Sequence, residues 1–122
     1  MIIELYRNGR TIKNATWIEI QGALETLKER ESNIRLTITP RPDNGPILLD
    51  IQSEEGNHMP GLLMTGGYTR DYHNSNLAGG EMIDVGGYSY DPAFITRDYE
   101  RIVSIAKEFF ETGDVSPELL KE

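Results

Sequence analysis

The chain has 122 residues, no cysteine and a formal net charge of −8. That length suits a single domain, residues 1–122, which buries roughly two-thirds of its unfolded surface and folds without covalent staples. The absence of cysteine excludes disulfides, thiolate metal sites and a thiol nucleophile, and no apolar run approaches a membrane span.

In chain order, residues 2–6 (IIELY) suit an opening strand. Thr16 and Glu19 then form the pattern of a capping box, in which each side chain satisfies a backbone N–H of the first helical turn. Trp17, Ile20, Ala23, Leu24 and Leu27 recur at three- and four-residue steps and share one face of this first helix. Glu25, Lys28, Glu29 and Arg30 fall outside that stripe, and Ser32-Asn33 is expected to stop the helix. Residues 34–38 (IRLTI) alternate as a half-buried strand does. Asn44-Gly45, inside a proline-rich loop, signals a hairpin back into ILLDIQ. There Ile47, Leu49 and Ile51 lie on one face and Leu48, Asp50 and Gln52 on the other.

SEEGNHMPG reads as a loop, and residues 62–65 and 81–85 read as two further strands. Between them runs a polar, aromatic connection of a length that is usually functional or disordered. The second helix is expected from near Thr96, with Asp98 in its first turn. Its apolar stripe is Tyr99, Ile102, Val103, Ala106, Phe109 and Phe110, and Gly113 ends it in a left-handed cap. Val115, Leu119 and Leu120 of the tail are placed to dock on the domain. The order implies an α+β fold: an antiparallel sheet of about five strands with two main helices packed mainly on one face.

The acidity is uneven. Residues 43–96 carry eight Asp and Glu against one base, Arg70, whereas residues 1–42 carry a slight excess of Lys and Arg. Such a field repels nucleic acid and attracts basic proteins or cations. Within the acidic stretch a motif occurs twice, as GGYTRD from Gly66 and as GGYSYD from Gly86. Four of the six tyrosines fall in residues 68–90, among Gly, Ser, Asn and Asp. This is the composition of a binding surface rather than of a catalytic pocket. The expectation is that the two stretches lie together, so that Tyr68, Asp71, Tyr72, Asp84, Tyr88, Tyr90 and Asp91 form one partner-binding patch. At least one of the rings is expected to be core instead. A rival reading makes the echo a pair of structural turns and places the partner on the acidic segment 43–58.

Catalytic motifs are absent: no Gly-x-Ser-x-Gly elbow surrounds any serine, and no glycine pair begins a phosphate-binding loop. His58 and His73 both fall in expected loops, where a histidine is ordinarily solvated. Asp71 and His73 hint at a metal site without a third ligand at a recognised spacing. No catalytic residue, metal or cofactor is therefore assigned.

Three stretches carry a resemblance to a known family. They are TWIEIQGALETLKE, the IRLTI strand after it, and SYDPAFITRDYERIVSIAKEFFETGDVSPELL. In these the chain resembles the small bacterial immunity proteins of polymorphic-toxin and contact-dependent inhibition systems, most like the first family of that group. Members often finish with a Trp after the proline, where this chain has Glu118-Leu119-Leu120. The resemblance implies a cytoplasmic protein, without enzymatic activity, that binds the basic C-terminal domain of one cognate toxin and blocks it. The acidic charge and the lack of a long apolar run imply no nucleic-acid or membrane partner, and the N-terminus MIIELYRNGR shows no signal-peptide pattern. Many such toxins are nucleases, whose basic sites an acidic, tyrosine-rich face can occupy. The alternatives are an acidic adaptor or regulatory subunit, or a small-ligand site or enzyme using His58, His73 and nearby acids.

Overall fold

The computed structural model describes residues 1–28 and 31–121. Glu29 and Arg30, expected on the outer face of the first helix, lie outside the described residues. The elements are β1 (Ile2–Arg7), β2 (Arg10–Ile12), α1 (Trp17–Glu25), β3 (Ser32–Thr39), β4 (Pro46–Glu54), β5 (Asn57–Met64), β6 (Thr69–Asp71), β7 (Ile83–Val85), β8 (Tyr88–Tyr90) and α2 (Tyr99–Thr112). The main sheet has six strands in the order β2-β1-β3-β4-β5-β6, with antiparallel neighbours throughout, and β7 and β8 form a separate hairpin. This is the expected α+β architecture with one strand more in the main sheet.

The capping box forms as its spacing demands: the Glu19 amide donates to Thr16 Oγ1 at 3.3 Å and the Thr16 amide to Glu19 Oε1 at 2.9 Å. At the start of α2, Asp98 is the cap itself, accepting from the Arg101 amide at 3.1 Å. Gly113 ends that helix with φ of 77°, a conformation that favours glycine. Alternation divides the sheet into two faces. Ile3, Leu5, Ile34, Leu36, Leu49, Ile51 and Leu62 point to one side and are almost fully buried. Ile20, Leu24 and Leu27 of the first helical segment cover them together with Ile102, Ile105, Ala106 and Phe109 of α2. Ile105, at the centre of the α2 stripe, was outside the expected set, while Trp17 and Val103 are only half-buried at its margin. The Trp17 ring instead lies 5.8 Å from that of Phe110 and beneath Lys107. The tail docks as expected, with Val115 and Leu120 buried and Leu119 packed on the core. Glu108 holds it by accepting from the Ser116 amide and hydroxyl at 2.7 and 2.9 Å.

Three expectations are corrected. Ser32-Asn33 does not serve as a helix stop but begins β3, paired with Gln52 and Ser53. The segment expected as a loop, residues 53–61, is instead the end of β4, a tight turn and the first half of β5. Its turn residues, Glu55 and Gly56, both have positive φ (52° and 81°), the geometry that matches strand twist in a two-residue hairpin. A glutamate there gives no sequence signal. Finally, residues 81–85 do not join the main sheet; Ile83–Val85 pairs with Tyr88–Tyr90, and the connection before it contributes β6.

Candidate functional site

The helices leave the other face of the sheet open. One rung of that face runs Tyr6, Arg35, Asp50, Gly61, Asp71 across five strands. The next rung on the same side runs Glu4, Thr37, Leu48, Leu63, Thr69. Because Gly61 has no side chain, a depression forms between two carboxylates. Two strand spacings put the Asp50 and Asp71 Cα atoms about 10 Å apart. Leu48, Met59 and Leu63 line it with apolar surface, and Tyr90 of β8 and Phe94 beyond it add two aromatic rings to the lining. The groove measures about 320 Å³, at the small end of ligand-site sizes.

Each carboxylate keeps one oxygen uncommitted among the described residues. Asp50 Oδ1 accepts from Asn33 Nδ2 at 3.0 Å and lies 3.4 Å from Arg35 Nε, while Oδ2 carries no hydrogen bond. Asp71 Oδ2 accepts from the Thr69 hydroxyl at 3.0 Å. Its Oδ1 leans over Gly61, where any Cβ would run into it. Arg70, the lone base of the acidic stretch, points elsewhere and holds the tail through Asp114 (3.0 Å) and the Val115 carbonyl (2.8 Å). The groove is therefore a depression lined by two carboxylates, two aromatic rings and apolar side chains.

The seven residues expected to form one patch are dispersed. Asp71 and Tyr90 meet in the groove. Tyr68 and Tyr88 are exposed, at 60% and 71%. Asp84 is exposed on β7 and accepts from the Ser89 hydroxyl. Tyr72 is 1% exposed and belongs to the core, so it leaves the surface set and is the buried ring that was expected.

The two glycine-tyrosine stretches are not neighbours. Both glycine pairs are turns with positive φ throughout: 98° and 88° at Gly66-Gly67, 61° and 90° at Gly86-Gly87. The first follows Thr65, whose amide donates to Gly45 O at 2.8 Å, beside the start of β4. The second is pinned to the end of β4, where the Gly86 amide donates to Glu54 Oε1 at 3.1 Å. The length of β4 separates them by roughly 25 Å. The echo is a repeated turn geometry, as in the rival reading. The segment 43–58 of that reading is mostly strand rather than loop, and one of its acids, Asp50, lines the groove.

Asp91 is a staple. Its Oδ1 accepts from the Ala93 amide at 2.9 Å and its Oδ2 from the Gly79 amide at 3.0 Å, tying the segment before β7 to the turn after β8. The Ala93 amide first, then the Gly79 amide and the nearby His73, hold its carboxyl below the usual carboxylate value of 3.8, against a smaller opposing effect of desolvation. A depressed carboxylate stabilises the fold above its unfolded pKa and loses that contribution as pH falls through the folded value. Asp91→Asn is therefore expected to loosen residues 79–93, raising amide exchange there at pH 7, and to remove part of the acid sensitivity below pH 3.8. Unchanged exchange at Gly79 and Ala93 in the variant would show that the two bonds hold nothing.

The histidines separate in the same way. His73 is exposed, with its ring 5.3 Å from Phe94. His58 is not a solvated loop residue: it sits in β5, 1% exposed, on the helix face. Its Nδ1 lies 2.6 Å from Ser53 Oγ, its partner across the β4–β5 hairpin. A serine bonded to a histidine is half of a hydrolytic triad. Here both are sealed under α2, with Tyr99 against the imidazole, so no substrate reaches the hydroxyl. Among the described residues no three His, Asp or Glu side chains are grouped to hold a metal, and no helix is long and apolar enough to cross a membrane.

Of the groove residues, the sequence pattern singled out Asp71 and Tyr90. Leu48 carried a signal, as an apolar residue on the polar face of ILLDIQ. Met59 and Gly61 were hidden because the first half of β5 has no alternating apolar run and contains Pro60 and Gly61, and Leu63, in the expected strand 62–65, had been given no face.

The fold and its site define a small α+β domain with a helix-covered face and an open acidic face. The chain belongs to a family of unknown function, DUF6911, whose model matches residues 2–119. It is similar to a solved structure described as a hypothetical protein from Neisseria gonorrhoeae, with 17% identity, a TM-score of 0.70, and 94% of this chain and 92% of that chain covered. At that identity the likeness establishes a shared fold. No curated protein matches the chain.

Proposed function

We propose that the protein acts by binding rather than by catalysis, and that its partner is a basic protein domain received on the open face of the sheet. The observation that carries this reading is the groove: two carboxylates with an uncommitted oxygen each, on either side of a glycine, with two aromatic rings in the same lining. No histidine, serine, lysine or arginine is among the described residues that line it. The resemblance of the two helical regions and the IRLTI strand to immunity proteins supports a specific form of the reading, in which the partner is a cognate toxin domain and binding neutralises it in the cytoplasm. An acidic face speeds capture of a basic site, because the long-range attraction draws the two surfaces together before they touch.

The reading expects the neighbouring reading frame to encode a large protein with a toxic C-terminal domain, and the test is co-expression with that domain. Growth should be restored, and a stable complex should form with the purified domain. Asp50→Asn combined with Asp71→Asn should slow capture roughly tenfold at low salt, with the difference closing at high salt. Equal capture rates and equal salt slopes in a folded double variant would sink the role of this face. Failure to restore growth would sink the toxin as partner.

A further inference from the structure

Resting on the reading of the open face as a partner surface, we infer that the groove receives a single arginine side chain of the partner. The groove matches that side chain part by part. An arginine stem is apolar and its head is a flat cation. The groove offers Leu48, Met59 and Leu63 to the stem. It offers the Tyr90 and Phe94 rings as stacking surfaces, and guanidinium groups favour aromatic faces. Asp71 Oδ1 and Asp50 Oδ2, the two oxygens without hydrogen bonds among the described residues, flank the floor. A guanidinium has donors on more than one edge and can serve both; an ammonium group presents a compact point charge and makes less use of the planar rings.

Gly61 is the residue that keeps the space. No positive φ requires a glycine there, so its lack of a side chain serves the surface rather than the backbone. A methyl group at this position would displace the Asp71 carboxylate and fill the floor. The native chain already supplies one arginine to this face: Arg35 approaches Asp50 from the β3 side. The incoming arginine would occupy the β6 side.

The probe is N-acetyl-arginine methylamide, titrated into the isotope-labelled full chain and followed by NMR. Saturable shifts are expected at Gly61, Leu63, Thr69 and Asp71, with a dissociation constant on the order of millimolar. N-acetyl-norleucine methylamide, which keeps the stem and loses the charge, should bind several-fold more weakly, and the lysine analogue should fall between. Asp71→Asn should weaken the arginine probe about three- to fivefold. Gly61→Ala, whose strand backbone accommodates alanine, should weaken it at least as much. Norleucine binding as well as arginine, or arginine shifts that never saturate, would overturn the inference. The two readings fail separately. Capture of the basic domain that depends on Asp50 and Asp71, without saturable arginine binding, leaves the face and removes the arginine site. Saturable arginine binding in the groove without capture of the domain leaves the site and removes that partner.

Discussion

Leu24→Ala and Phe109→Ala are each expected to lower stability by roughly 2–5 kcal/mol. Both side chains are 0% exposed, one from each helix, and both press on the same face of the sheet. Truncation removes the apolar surface that each buries and leaves a cavity that a close-packed interior fills only partly. Ile18, on the outside of α1 and 80% exposed, is the control, and its truncation should change stability by less than about 0.5 kcal/mol. Urea unfolding measures all three, through shifts in midpoint at constant slope. Losses below about 0.5 kcal/mol at both core sites would mean that the helices do not form the layer described.

Acid should weaken the protein from about pH 6.5 downward, and His58 is the reason. Burial, and then the charge of Arg97, lower its pKa from 6.5 to about 4. Above pH 6.5 the imidazole is neutral in both folded and unfolded chains, and it contributes no pH dependence. Between pH 6.5 and about 4 the unfolded chain takes up a proton that the folded chain refuses, so stability falls with falling pH. The full loss amounts to about 3 kcal/mol. Below the folded value both states are protonated and this contribution stops changing. His58→Gln, which leaves a neutral group opposite Ser53, should flatten the profile between about pH 6.5 and 5, even where its stability near pH 7.5 is lower. Urea midpoints across that range decide the matter: parallel wild-type and variant profiles would mean that His58 titrates normally.

The caps and most of the buried stripe of both helices were legible in the sequence, because their signals are local, although Ile105 was missed. A capping box, a stripe at three- and four-residue steps and a glycine after the last turn each act within a few positions. The alternation of IRLTI and ILLDIQ likewise identified which side of each strand is buried. The first half of β5 was illegible. His58 and Pro60 occupy its buried positions and Asn57, Met59 and Gly61 the open ones, so no apolar alternation marks the strand. The Glu55-Gly56 turn before it lacks the residues that announce a tight hairpin.

The sequence by itself determined the charge of the surface, the absence of thiol chemistry, the two amphipathic helices and the antiparallel class of the fold. Each follows from composition or from interactions between residues a few positions apart. Only the tertiary structure decided where the acidic and aromatic residues meet. Strand register sets Asp50, Gly61 and Asp71 side by side although they are ten or eleven residues apart along the chain. The tertiary structure also sends the two glycine-tyrosine turns to opposite ends of β4 and consigns Tyr72 to the core and Asp91 to two structural hydrogen bonds. The reason is that cross-strand pairing joins residues through hydrogen bonds between distant segments. A change of one position in that pairing would move every side chain to the opposite face, and no local pattern in this chain specifies the pairing of β5 and β6.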